Sequence, residues 1–212
     1  MNMAAERVSP FRLICRKLCR PAGSPEMKLS TKLKLYRTLG RVSAPRDVVF
    51  SGKYPQPRTL LFLFPVNKDL FFRSLHVIRA LERHSVRNKM HLAIAHKFRE
   101  QIPAPSQRTF YYPLLNEEPP QIDVQALRQH YGGKAYDAII NLSPEIDLPL
   151  AEVICMIDSP KRIGMAGPGA DELYNIQIRP SNGDSLESVY DQMLALCDLG
   201  PLGKHPDYDL WG

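Results

Sequence analysis

Residues 134–166, KAYDAIINLSPEIDLPLAEVICMIDSPKRIGMA, contain a strand, a helix and a second strand in succession. Residues 136–142 are mostly apolar and have the length of a buried strand, residues 147–157 have the pattern of a helix, and residues 161–165 are a second short strand. Two strands joined by a crossover helix lie parallel in one sheet, and the crossover is right-handed. This stretch therefore predicts an α/β fold.

The same alternation of strands and helices continues on both sides of this stretch. Further strands are predicted at residues 59–66, 90–95, 108–112 and 173–179, and further helices at residues 69–84, 96–101, 123–131 and 184–198. Such alternation favours a parallel sheet with helices on both faces. We therefore expect a Rossmann-like α/β domain of three layers with a mostly parallel sheet, which occupies residues 51–200. A basic helical arm, residues 1–50, precedes it, and a C-terminal tail, residues 201–212, follows it.

Positive charge is concentrated at the N-terminus. The chain has 212 residues and a net charge of +6, but residues 1–50 carry 11 Lys and Arg against 3 Asp and Glu, a net of +8. The other 162 residues carry 17 basic and 19 acidic side chains, a net of −2. Because the domain itself is nearly neutral, we do not expect it to bind nucleic acid. No apolar run approaches the roughly 18 residues that a membrane span requires.

The arm has the pattern of two short amphipathic helices, at residues 9–20 and 27–41. Its basic side chains include Arg12, Arg16, Lys17, Arg20, Lys28, Lys32, Lys34 and Arg37. One interpretation is adsorption to an anionic membrane surface, which basic amphipathic helices favour. Three others stay open: the second helix packs on the domain, the arm binds an acidic partner protein or RNA, or residues 1–25 are a cleaved targeting segment. Since no secretory signal is evident, we expect a cytoplasmic protein, peripheral at the membrane if the arm adsorbs there.

Polar residues follow three of the predicted strands, at the carboxyl ends where open α/β sheets bind ligands. The candidate residues are Asn67, Lys68 and Asp69 after the first strand, Asn141, Ser143, Glu145 and Asp147 after the fourth, and Gly167 and Gly169 in the glycine-rich segment after the next. Together they predict a pocket for a sugar or a small anion. The alternative is structural, because Asp69 and Asp147 could each cap the helix that follows.

Several kinds of chemistry lack their sequence motif. The first strand leads into PVNKD, residues 65–69, rather than GxGxxG, which disfavours NAD and FAD. The six histidines show no HxxxH or HExxH spacing, so no metal centre is predicted. No serine stands in GxSxG, the motif of a hydrolase elbow. We therefore expect no cofactor.

Three segments of the domain resemble a known enzyme family. RALE at residues 79–82, YDAIINL at residues 136–142 and RIG at residues 162–164 resemble the N-terminal domain of the heptosyltransferase-like enzymes, glycosyltransferase family nine. The resemblance covers residues 58–180. It implies a Rossmann-like fold and a glycosyltransferase in which Asp69 is the catalytic base.

The sequence also departs from that family. Lys68 stands where the family has a glycine, and the nucleotide-sugar domain that follows in the family is not expected here. The chain is more similar to a group of short uncharacterised bacterial proteins, which share a basic arm and the pattern of residues 137–150 and imply no activity. We therefore expect an accessory or binding module that is not catalytic alone. The alternatives are a glycosyltransferase-like enzyme with Asp69 as base, completed by a partner, and a structural subunit with an acidic partner.

The membrane interpretation of the arm predicts that the full chain binds vesicles containing anionic lipid and that a chain lacking residues 1–41 does not. Binding should weaken with added salt, because the Debye length falls from about 10 Å at 0.1 M to about 3 Å at 1 M. Co-sedimentation with vesicles measures this, and vesicles of neutral lipid are the control. Undiminished binding without the arm would contradict the prediction.

Overall fold

The structure is a computed structural model that describes residues 59–82, 90–102, 108–118, 120–181, 183–197 and 199. The arm at residues 1–50, with the eight basic side chains named above, and the tail at residues 201–212 lie outside these ranges. Among the helices within the ranges, none is both long enough and apolar enough to cross a membrane.

Strands supply the centre of the domain. In the described part of the chain they are β1 (Leu60–Leu63), β2 (Met90–Ala95), β3 (Thr109–Tyr112), β4 (Leu114–Glu117), β5 (Pro120–Ile122), β6 (Ala138–Asn141), β7 (Lys161–Met165) and β8 (Ile176–Ile178). β4 and β5 form an antiparallel hairpin, and the other six form one parallel sheet in the order β3-β2-β1-β6-β7-β8. With the hairpin left out, this is the strand order 3-2-1-4-5-6 of the Rossmann fold. The predicted Rossmann-like α/β domain is confirmed.

Helices cover both faces of the sheet. Those in the described ranges are α1 (Lys68–Glu82), a 3-10 helix (His96–Gln101), α2 (Val124–Tyr131), α3 (Leu148–Met156), α4 (Ala170–Leu173) and α5 (Leu186–Ala195). Right-handed crossovers that leave the middle of the sheet in opposite directions place their helices on opposite faces. α1 packs with α5, and α2 packs with α3. The sheet therefore lies between two helical layers.

β1 is the most buried strand because it has a partner along both edges and a helical layer on both faces. Every residue from 60 to 64 is at most 1% exposed. Asp137, just before β6, joins the starts of the two central strands: its Oδ2 accepts hydrogen bonds from the Thr59 backbone N–H at 2.8 Å and the Thr59 hydroxyl at 3.2 Å. This contact helps to fix the register in which Leu60 lies opposite Ala138.

Two elements differ from the sequence prediction. The β4–β5 hairpin occupies a segment in which neither a strand nor a helix was predicted, and Pro120 is tolerated there because it opens a short edge strand. α4 begins at the predicted glycine-rich segment, where Gly169 is the N-cap with a left-handed φ of 81°. The last strand is therefore shorter than the predicted 173–179, and the prediction was wrong at its start.

Gly164 in β7 lets an aromatic ring lie directly against the sheet. A Cβ at this position would come within 2.5 Å of the Tyr174 ring. The Tyr174 hydroxyl accepts a 2.7 Å hydrogen bond from Nδ2 of Asn141, at the end of the neighbouring strand β6. Oδ1 of Asn141 in turn accepts from the backbone N–H of Ser143 at 3.1 Å. The bare backbone of Gly164 thus allows a buried contact that holds the chain where it leaves β6.

We expect Gly164→Ala to destabilise the domain, because the added methyl group must displace the Tyr174 ring. Overpacking of this kind typically costs about 1–3 kcal/mol, and loss of the Asn141 hydrogen bond would add to it. Urea titration followed by circular dichroism measures the change. Gly167→Ala is the matched control, since a Cβ at Gly167 meets no atom within 4 Å. Equal stability of the two variants would contradict this account.

Candidate functional site

A cleft lies at the carboxyl ends of β1 and β6, the two strands at which the order of the sheet reverses. The connection from β1 runs toward β2 and the connection from β6 toward β7, so the two depart in opposite directions and leave a crevice between them. The cleft has a volume of about 510 Å³. It is lined by Val66, Asn67, Asp69, Leu70, Arg73, Ser143, Glu145, Ile146 and Asp147.

The β1 side of the cleft is the first turn of α1. Oδ1 of Asn67 accepts hydrogen bonds from the backbone N–H groups of Asp69 at 2.9 Å and Leu70 at 3.2 Å. Asn67, rather than Asp69, therefore caps this helix. The Asp69 carboxylate is exposed on the cleft wall, in the first turn, where the helix dipole favours negative charge.

The β6 side of the cleft is the start of α3. Asp147 is its N-cap and accepts a 3.4 Å hydrogen bond from the Leu150 backbone N–H, so the predicted capping role of this residue is confirmed. Burial raises the pKa of the Asp147 carboxyl, and the Leu150 N–H opposes that rise in pKa. Asp147 therefore stabilises α3 and also presents a partly desolvated carboxyl to the cleft.

Ser143 is the most buried polar side chain on the cleft wall, at 9% exposure. Its backbone N–H is used by Asn141, but its hydroxyl forms no hydrogen bond with any residue in the described ranges. The residue lines the cleft, so this hydroxyl is available to a ligand that enters it.

The cleft carries more negative than positive charge. Asp69, Glu145 and Asp147 contribute three carboxyl groups, and Arg73 contributes one guanidinium. Within the described part of the chain, none of the three carboxyl groups forms an ion pair. Sequence reasoning missed Arg73, although a signal was present: it stands four residues after Asp69, on the same face of α1.

Four of the predicted ligand-binding residues do not line the cleft. Asn141 is 1% exposed, and its amide is used by Tyr174 and Ser143. Lys68 is the first residue of α1 and is exposed. Gly167 and Gly169 follow β7, where Gly169 begins α4. The structure therefore brings the groups after β1 and β6 together and leaves the glycine-rich segment outside.

Metal ligation needs a tighter grouping than the cleft offers. In the ranges that the structure describes, no three His, Cys, Asp or Glu side chains are grouped closely enough to hold a metal ion. The cleft can instead offer separate hydrogen-bond acceptors, one cation and the apolar side chains of Val66, Leu70 and Ile146 to an organic ligand.

Comparison of the chain with family models and with curated proteins gives no match. The position and composition of the cleft therefore identify the candidate site.

We expect Asp147→Asn to make the domain more stable at neutral pH. Since burial raises the pKa of this carboxyl from its ordinary value of 3.8, the folded chain holds the proton to higher pH than the unfolded chain. Stability contributed by the protonated form is lost as pH rises through the folded-state pKa, and Asn avoids that loss while it still serves as an N-cap.

Urea titrations at about pH 7 and about pH 3.5 test this, and the gain in stability should shrink at the lower pH because the carboxyl is then largely neutral in both states. Asp123→Asn alters the corresponding cap of α2, outside the cleft, and measures what an Asp-to-Asn change does to a cap by itself. If Asp147→Asn lowers stability at neutral pH, burial is not the dominant influence on this group.

Proposed function

We propose that the domain is a small-molecule-binding module whose ligand occupies the cleft between β1 and β6, and that it acts as an accessory or binding subunit rather than as a complete enzyme. The observation that carries this proposal is the position of the cleft at the point where the strand order reverses. Open α/β sheets bind their ligands at this point, because loops from two diverging connections meet there and leave room between them.

The size and lining of the cleft support the proposal. A volume of about 510 Å³ lies within the range of roughly 300–1,000 Å³ that small-molecule sites occupy. Three apolar side chains, Val66, Leu70 and Ile146, lie beside the polar ones, as is usual in such sites. The unpaired hydroxyl of Ser143 adds a group whose hydrogen bond a ligand would complete.

A capped helix begins at each of the two walls of the cleft, which favours a binding function. Each of these two helices is capped by a side chain that also lines the cleft: Asn67 caps α1, and Asp147 caps α3. A cap fixes the conformation of the residue that makes it, so little ordering remains to be done when a ligand binds. The caps also occupy some of the helix N–H groups that would otherwise attract a phosphate.

A second function, a glycosyltransferase-like reaction, is favoured by the position of Asp69. This residue is exposed on the cleft wall, where a bound acceptor hydroxyl could reach its carboxylate and transfer a proton to it. The resemblance to the heptosyltransferase-like enzymes assigns it the same role. Such an enzyme would need a partner to hold the nucleotide-sugar, and the basic arm could carry the module to that partner or to an anionic membrane surface.

Binding of a small molecule in the cleft should raise the melting temperature of the full chain. A ligand present at about 100 times its Kd stabilises the folded state by roughly 2.7 kcal/mol, which a thermal-shift assay detects. The panel should contain free sugars, amino sugars, sugar phosphates, free nucleotides and nucleotide-sugars. We expect a member of this panel to stabilise the wild type, and Ser143→Ala or Glu145→Gln to reduce the shift.

Glu100→Gln is the matched control for this assay, because Glu100 is an exposed acidic residue on the 3-10 helix and does not line the cleft. A shift that is equally large in the cleft variants and in the control would mean that the ligand binds elsewhere. The second function makes a further distinction: Asp69→Asn should abolish glycosyl transfer in the presence of the partner and leave the binding of the acceptor intact.

A further inference from the structure

The unbalanced charge of the cleft indicates the chemical class of its ligand. Asp69, Glu145 and Asp147 present carboxyl groups from the ends of two different strands, and none of them is paired within the described ranges. An anionic ligand would be repelled by these acidic side chains, whereas a cationic ligand would meet the carboxyl groups of Asp69 and Glu145 and the part of the Asp147 carboxyl that the Leu150 N–H does not use.

Arg73, the cation of the cleft, has an acidic neighbour of its own on α5. The pKa of Glu187 is lowered chiefly by a backbone N–H, and the charges of Arg73 and His76 contribute to the same lowering of the pKa. α1 and α5 pack together. Within the cleft itself this one guanidinium faces three carboxyl groups, so acidic side chains are in excess there.

Resting on the proposed function, we infer that the ligand is a small hydroxylated amine, such as an amino sugar, whose primary ammonium group pairs with the carboxyl groups at the start of α3, Glu145 and Asp147, and one of whose hydroxyl groups pairs with Ser143. A primary ammonium has three N–H donors, each of which can form a charge-assisted hydrogen bond with a carboxylate, and Asp69 adds negative charge on the other wall of the cleft. The apolar side chains of Leu70 and Ile146 can cover the carbon framework of the ligand.

Other cations fit the cleft less well. A bare metal ion needs ligands that lie closer together than any three carboxylates or imidazoles in the described ranges. A quaternary ammonium is recognised by aromatic rings, and none of the residues that line the cleft is aromatic. A primary ammonium needs only one or two carboxylates as partners, because its other N–H groups can donate to neutral acceptors or to water.

Burial of Asp147 is consistent with this assignment. The carboxyl is costly to ionise in its half-buried position, which is why its pKa is raised. An ammonium group nearby would favour the ionised form and so offset that cost. The charged groups that face the ligand from the two walls are Asp69 and Arg73 on α1, and Glu145 and Asp147 before α3.

Isothermal titration of the full chain with four matched probes tests the inference: glucosamine, N-acetylglucosamine, glucose and glucose 6-phosphate. Glucosamine carries the ammonium, the next two are neutral, and the last is anionic. We expect glucosamine to bind at least about tenfold more tightly than either neutral sugar, because its hydrogen bonds to the carboxylates are charge-assisted. We expect glucose 6-phosphate to bind most weakly, because its phosphate is repelled by the same carboxylates.

Three variants locate the ammonium. Glu145→Gln and Asp147→Asn should each weaken glucosamine about tenfold and weaken glucose much less, since they remove a charge and keep an acceptor oxygen. Glu100→Gln, outside the cleft, should change neither. Asp147→Asn keeps the cap of α3, so weaker binding would not reflect loss of the fold.

The remaining outcomes separate this inference from the proposed function. If a neutral sugar or glucose 6-phosphate binds as tightly as glucosamine and the binding depends on Ser143, the binding module stands and the assignment of an amine is wrong. If glucosamine binds but the two carboxyl variants bind it as well as the wild type, the assignment is wrong again. If no probe binds, the assignment of an amine is wrong. The thermal-shift panel then tests the proposed function independently.

Discussion

The pairing of β1 along both of its edges is the constraint on which the rest of the structure depends. β2 lies on one side of β1 and β6 on the other, both parallel to it. Each of the two central strands is followed by a crossover, from β1 to β2 and from β6 to β7, and these crossovers run in opposite directions and on opposite faces. Both helical layers and the crevice between the crossovers follow from this arrangement, so the cleft is a product of the strand order itself.

The polar residues beside β1 and β6 serve the fold and the cleft together. Asn67 and Asp147 satisfy helix N–H groups that would otherwise lack partners, and Asn141 joins Tyr174 to the exit of β6. After these hydrogen bonds are counted, what is left for a ligand is one serine hydroxyl, one guanidinium and a surplus of carboxyl groups. The polar groups that form no hydrogen bond within the fold therefore determine which ligands the cleft can bind.

Most of the strands and helices could be predicted from the sequence. Buried parallel strands such as residues 60–64 are continuously apolar, and the helices that follow them have apolar residues at a regular helical spacing. The β4–β5 hairpin could not be predicted, since its residues are mostly exposed and it contains a proline. The burial of Asn141 was equally hidden: it depends on Tyr174, 33 residues away, and on the absence of a side chain at Gly164. Four residues that line the cleft were predicted because their position after a strand is visible in the sequence: Asn67, Asp69, Glu145 and Asp147. Arg73 lies within a helix, and only its spacing from Asp69 indicates that it lines the cleft.

The order in which the strands leave the ribosome follows from the same central pairing. β1 meets β2 about 30 residues along the chain, but its other neighbour, β6, is separated from it by 78 residues. Until β6 has been synthesised, β1 has one open edge whose N–H and C=O groups lack partners. Long-range parallel pairing is slow to form and leaves strand edges exposed during synthesis. The first half of this domain therefore cannot complete its sheet while it is being synthesised. The time during which the open edge of β1 is exposed to aggregation depends on how soon the YDAIINL segment is synthesised after it.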